Sequence, residues 1–389
     1  MSETARRSAL PGYEDWPAYI QQTPPHETGA PAPQELAEAL GVPAGGKVPA
    51  VTVHWEETYD GVTTSQLTWQ LGFGPRSSGW LVHPAGSNGP LPGILALHCH
   101  GGNKFGGADR LVDLPADHDA SLSGRAARAV HYEGRALASE IARQGFVVLA
   151  HDAFGWGSRR FDLSRPPRRT AVALEAQEAQ WRQDGVVPSA PERYNAAAAA
   201  HEDTIAKAAG LLGTSMAGMV AHDDLAALDI LALLPSVDPG RLGCVGFSGG
   251  GGRALVLAAL DSRIRSYVVT CMMTTFQSLL PAYLDAHSWL LQTPGLWKLG
   301  DWPELSLRSA AKGFLVQYAL ADELFPEAGM READRMLLQL HPKAYTGSFW
   351  PGGHIFTAAM QNEAIRYLQA SLGAVTNSSR PFPQPSRTH

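Results

Sequence analysis

The chain has 389 residues, 44% hydrophobic and 17% charged, with a formal net charge of −6. That composition is of a globular protein with a sizeable core, forming one large domain or two ordinary ones. The lack of a basic excess or a Lys/Arg cluster argues against a nucleic-acid partner, and no apolar stretch is long enough to span a bilayer. The N-terminus, MSETARRSALPGYEDW, has no apolar core for a signal peptide, so the expected location is the cytoplasm, with no membrane partner. Residues 1–48 are rich in Pro, Ala and Gly, with one short helical pattern, PQELAEAL. They read as an extension that packs on a core. AVTVHWEET, SQLTWQLGF and GWLVHP alternate or run as half-exposed strands. GILALHCH, GFVVLAHD, LGCVGFS, SYVVTCM and GFLVQYA are continuous apolar runs of strand length, suited to strands buried on both faces. Helical patterns separate them: GRALASEIARQ, AHDDLAALDILALLPS, GRALVLAALD and EADRMLLQLH. Strands alternating with helices predict an α/β fold, a mixed, mostly parallel sheet with helices on both faces. From Phe161 to about Met219 the chain has no convincing strand and predicts a helical insert, of a kind that often roofs a site. The main domain is therefore expected over residues 49–373, with 374–389 a polar, proline-rich tail that reads as disordered. Cys99, Cys244 and Cys271 each lie in or beside a buried strand and read as small core residues. Arg159, Arg160, Arg168 and Arg169 flank prolines and read as a solvated loop.

The run RLGCVGFSGGGGRALVLAAL, residues 241–260, sets one serine among glycines between a strand and a helix. It is no phosphate cradle: Arg253 and Ala254 stand where the P-loop needs Lys and Ser or Thr. Nor is it a dinucleotide loop, since G-x-x-G-G-G late in the chain lacks that spacing. Gly246-Phe247-Ser248-Gly249-Gly250 does fit the nucleophile elbow G-x-S-x-G, where small residues two before and two after the serine keep a tight turn free of clashes. The plainer reading is a glycine-rich helix start with no ligand.

The required partners follow in the order Ser, acid, His. Asp322 comes just past the strand GFLVQYA. Its plainer role is to start the following helix, and Glu323 is the nearest rival for the acid. His354 lies in YTGSFWPGGHIFTAAM, after the last predicted strand, in a glycine-rich loop entering a helix. An oxyanion site needs backbone N–H groups: one from Gly249, another from LALHCHGGNKFGG, with His100 or Gly101 the candidate donor. His98, Cys99 and His100 invite a zinc reading, but no second ligand cluster accompanies them, so no metal is expected. Phe276, Tyr283, Trp289, Trp297 and Trp302, with the insert, are expected to shape a filled pocket suited to compact acyl groups; alternatively they pack the insert against the core.

On LHCHGG, GFVVLAHDAFGWGSRR, SVDPGRLGCVGFSGGGG, LADELFP and GGHIF, the chain over roughly residues 80–372 resembles the α/β-hydrolase superfamily. Within it, the resemblance is to dienelactone-hydrolase and acetyl-xylan-esterase-like serine esterases. It implies the α/β-hydrolase fold, with Ser248 as nucleophile, Asp322 as acid, His354 as base and main-chain donors near His100 and Gly249. It also implies no cofactor and a small-molecule ester as partner. DAFGWGSRR is implied to be structural, with Arg159 or Arg160 pairing nearby carboxylates. Serine in place of the cysteine of the dienelactone hydrolases, and the insert, point to ordinary esters. The same machinery would serve a thioesterase, an amidase or a C–C hydrolase, and the fold alone would serve a silent binding protein. The sequence allows a homo-oligomer without specifying one.

Overall fold

The computed structural model describes residues 6–21, 32–116, 118 and 121–373. The expected tail, 374–389, lies outside them. Nine strands form one sheet: β1 Thr52–Tyr59, β2 Val62–Trp69, β3 Ser77–Pro84, β4 Leu91–Leu97, β5 Val147–His151, β6 Val237–Phe247, β7 Ile264–Thr270, β8 Gly313–Ala319 and β9 Tyr345–Trp350. Their order is β1-β2-β3-β5-β4-β6-β7-β8-β9. The first three strands and the β3–β5 pair are antiparallel, and every pair from β5 onward is parallel. Parallel pairing needs crossovers, and the helical patterns between the apolar runs supply them. The helices are α1 Trp16–Gln21, α2 Pro33–Leu40, α3 Ser121–His131, α4 Leu137–Arg143, α5 Arg168–Gln183, α6 Ala190–Leu211, α7 Met216–Leu233, α8 Gly249–Leu260, α9 Phe276–Leu279, α10 Glu327–Leu340 and α11 Ala358–Leu372.

The continuous apolar strands are buried on both faces, as their composition requires. One core lies between the sheet and α2, α7, α8 and α10; the other lies under α4 and α11. In the extension, α2 sinks Leu36 and Leu40 into the first core. β1 departs from the half-exposed expectation. It is the edge strand and is exposed on both faces, with only Trp55 packed, against Trp80.

The stretch from 161 to 219 is helical, and α6 is its longest element, opened by a capping box of Ser189 and Glu192. Of the arginines expected in a solvated loop, Arg168 and Arg169 are solvent-exposed but helical, and Arg159 is buried. Arg159 is 3% exposed and pairs with Asp223 at 3.1 Å, while Arg168 and Arg169 open α5. The three cysteines are free and buried. Among the described residues no helix is long and apolar enough to cross a membrane.

Candidate active site

The sheet positions the site at the C-terminal ends of β4, β6, β8 and β9, where open α/β sheets leave a crevice. β6 ends at Phe247, and Ser248 turns the chain into α8 with φ 55° and ψ −129°. A non-glycine residue at positive φ is strained and is kept only where its surroundings enforce it. Here they do. A Cβ on Gly246 would lie 2.1 Å from the Gly250 carbonyl oxygen, and one on Gly250 would lie 2.1 Å from the Leu97 oxygen. Strand, turn and helix are therefore pressed together at the two positions the elbow motif reserves for small residues. The Ser248 N–H is spent on the Thr270 carbonyl at 2.8 Å, which anchors the turn to β7.

Asp322 follows β8, its N–H turned back onto the Ala319 oxygen at 3.1 Å. One carboxylate oxygen accepts the Leu324 N–H at 2.9 Å, and the other lies 2.6 Å from His354 Nδ1. His354 Nε2 lies 2.7 Å from Ser248 Oγ. The loops carrying acid and histidine are stitched together by hydrogen bonds from Leu320 N–H to Trp350 O and from Ala321 N–H to Gly352 O, each 2.9 Å. The imidazole lies against Phe247, with ring centroids 4.8 Å apart. Asp322 is 6% exposed, whereas Glu323 is exposed and its carbonyl receives a bond from Arg6. The structure therefore brings Asp322, and not Glu323, to the histidine.

The loop after β4 faces this row. A Cβ on Gly249 would stand 3.2 Å from the His100 amide nitrogen, so Gly249 and the His100 backbone face each other beside Ser248. Gly101 and Gly102 also line the pocket. His100 Nδ1 accepts the Gly102 N–H at 3.1 Å, so Nε2 carries the proton and donates it to Glu202 at 2.6 Å. Glu202 comes from α6 and also pairs with Lys104 at 2.6 Å. Burial pushes its carboxyl up, but the His100 hydrogen bond and the Lys104 charge outweigh this and hold it at about 2.

Arg110 is fully buried and donates to the carbonyls of Cys99, Asn103, Gly106 and Gly107 at 2.7–3.3 Å, tying the loop's oxygens away from the pocket. Arg253, on α8, bonds the His98 carbonyl at 3.1 Å and Asp224 at 2.6 Å, joining the loop to the helix behind the serine. Sequence reasoning missed Arg110, Glu202 and Arg253. The only available signal was a buried charge inside otherwise apolar or helical patterns.

His98 Nδ1 donates to the Cys99 carbonyl at 2.9 Å, and the His100 ring is engaged by Glu202. Among the described residues, one trio of potential metal ligands is close enough to share an ion: Cys271, Asp322 and His354. Two of these three are bonded to each other. Burial, then the Asp322 charge, pushes the Cys271 thiol well up, away from the thiolate a metal would need.

The pocket over Ser248 is about 300 Å³, bounded by His131, Phe247, Met272, His287, Leu291 and Phe325 among others. Burial holds both His131 and His287 below the usual imidazole range, so these rings are neutral walls near pH 7. The expected aromatic wall is elsewhere. Trp302 is buried, its indole N–H on the Met272 carbonyl, and Phe276, Trp289 and Trp297 line a separate cavity. Tyr283 lies under Arg6. Nor do the insert helices roof the serine. A cavity of about 890 Å³ lies between α5, α6 and the segment before them, and shares no lining residue with the Ser248 pocket. The insert meets the loop after β4 through Glu202, which engages His100 and Lys104, and through Asn195, which accepts the Lys104 and Phe105 N–H groups at 2.9 Å.

Residues 127–270, which include the elbow and the strand before it, match the family described as "Dienelactone hydrolase family". A Bacillus subtilis (strain 168) protein named "Putative hydrolase YtaP" is 26% identical over 346 residues, covering 87% of this chain and 98% of its own length. Two solved structures share the fold. A glucuronoyl esterase from Solibacter usitatus has a TM-score of 0.58 at 14% identity, covering 87% of this chain and 92% of its own. A "putative acetyl xylan esterase" from Bacteroides fragilis NCTC 9343 has a TM-score of 0.61 at 17% identity, covering 87% and 82%. With the sheet order and the strained serine at the end of β6, these likenesses give the chain the α/β-hydrolase fold, with a match to the dienelactone hydrolase family over residues 127–270.

Proposed function

We propose that this chain is a serine hydrolase that cleaves short-acyl carboxylic esters through an acyl-enzyme intermediate. The observation that carries the reading is the unbroken row from Asp322 through His354 to Ser248, with hydrogen-bond distances of 2.6 and 2.7 Å. In this reading His354 Nε2 takes the Ser248 proton as Oγ attacks the ester carbonyl. Asp322 keeps the Nδ1–H tautomer and stabilises the imidazolium. The negative oxygen settles against the Gly249 and His100 amides, with Gly101 the alternative donor in the same loop. The imidazolium then protonates the leaving alcohol. Water, deprotonated by His354, attacks the acyl-enzyme and releases the acid. No step calls on a cofactor.

A fluorophosphonate probe tests this reading directly. Labelling is expected at Ser248, checked by peptide mass spectrometry, and lost in Ser248→Ala. An unlabelled, folded wild-type chain would favour a silent binding protein. Running thioesters and amides beside activated esters separates the leaving-group alternatives, with esters expected to turn over fastest.

The short-acyl part of the proposal rests on the 300 Å³ pocket, closed by His287, Leu291, Leu324 and Phe325. Across p-nitrophenyl esters from acetate to palmitate, kcat/KM is expected to peak between acetate and butyrate. A peak at ten carbons or beyond would overturn that part alone.

A further inference from the structure

A second cavity of about 400 Å³ lies beside the first, and Leu291 lines both. The two are separated by the segment 284–292. Ala286, His287 and Ser288 face the serine pocket, while Leu284, Trp289 and Gln292 face the second cavity. Leu291 is 5% exposed, and between the cavities its side chain is the shared wall. The second cavity is strongly apolar, lined by Phe276, Leu279, Leu280, Leu296 and Trp297. The N-terminal extension forms its other side with Leu10, Trp16 and Ile20, held in place by the Ala9 N–H on the Pro281 carbonyl at 2.8 Å. The partition is fastened to the loop after β8 by His287 Nε2, 2.8 Å from the Leu324 carbonyl. Its backbone bonds at Leu291 and Gln292 are 3.4 and 3.3 Å long.

We infer that Leu291 is the residue that sets acyl length in this enzyme, by walling off an apolar cavity already built to receive a longer chain. The inference rests on the ester-hydrolase reading above. Shortening Leu291 joins the two cavities, so an acyl chain seated on Ser248 extends past position 291 onto Leu280, Phe276 and Trp297. Methylenes beyond butyrate then leave water for an apolar surface instead of meeting a wall, and each adds to transition-state binding.

The test is kcat/KM for p-nitrophenyl acetate, butyrate, octanoate and decanoate with wild type, Leu291→Ala, Leu291→Val and the double variant Leu291→Ala/Leu280→Trp. Leu280 lines only the second cavity, so tryptophan there refills it. Leu291→Ala is expected to raise the octanoate-to-butyrate ratio about tenfold or more. Leu291→Val should move it in the same direction by less, and the double variant should return it towards the wild-type value. A folded Leu291→Ala enzyme with an unmoved ratio overturns the inference. So does a double variant that keeps the whole gain, because general loosening of the segment would not be reversed by filling the cavity. Should Leu291→Ala fail to fold, Leu291→Val decides, and an unchanged ratio there overturns the inference too. A wild-type chain that turns over none of these esters overturns the ester reading and this inference with it, whereas an active wild type with an unmoved ratio overturns only this inference.

Discussion

Ser248→Ala is expected to lower kcat on an activated ester by about 10³-fold or more while leaving the fold intact. The loss is large because Oγ is the hydroxyl held 2.7 Å from His354 Nε2 in the observed row. The fold survives because the strain at φ 55° belongs to the backbone turn. The Thr270 carbonyl holds the residue 248 N–H whichever side chain is present. Alanine occupies that turn at nearly the same cost as serine, since both carry a Cβ. Thermal unfolding should therefore match wild type within a few degrees. A folded alanine variant with near-wild-type turnover would remove Ser248 from the chemistry.

Asp322→Asn should cost about 10⁴-fold in kcat, and Glu323→Gln little. An asparagine keeps an oxygen for the Leu324 N–H but presents an NH₂ group to His354 Nδ1. The imidazole then holds its proton on Nε2, facing the serine, and cannot accept another. The geometry persists while the base is switched off. Glu323 is exposed and makes no bond to the imidazole among those observed, so its amide should behave as wild type. Kinetics of the two variants side by side check the assignment, and the reverse ranking would move the role to Glu323.

Much of this was legible in the sequence because the signals are local. The apolar runs at 93–100, 145–152, 242–248, 266–272 and 313–319 became buried parallel strands, since two covered faces leave no room for polar alternation. The small residue at 246 reports a turn in which the Gly250 carbonyl oxygen would lie 2.1 Å from an added Cβ, a constraint that acts within five residues of chain, whereas the one at 250 answers to the Leu97 carbonyl on β4. The order Ser248, Asp322, His354 followed from strand ends that can be counted along the chain.

Tertiary structure alone decided what depends on contacts between distant segments. The sequence placed Glu323 next to Asp322 and could not separate them. Burial and the bond to a histidine 32 residues away did. The sequence offered the aromatics of 276–302 either to the pocket wall or to packing of the insert, because a segment following a core strand is near the site in one dimension. In three dimensions it turns, sending Ala286, His287 and Ser288 to the serine and Phe276, Trp289 and Trp297 to the N-terminal extension. Likewise α6 looks like a roof in sequence but meets the loop after β4 from the side, through Asn195 and through Glu202, which bonds His100 across 102 residues. Motif spacing encodes the strained turn at Ser248 because covalent geometry bounds short loops. The pocket wall and the contacts of the loop after β4 are set by which side chains meet after the sheet has closed, and no local pattern records that.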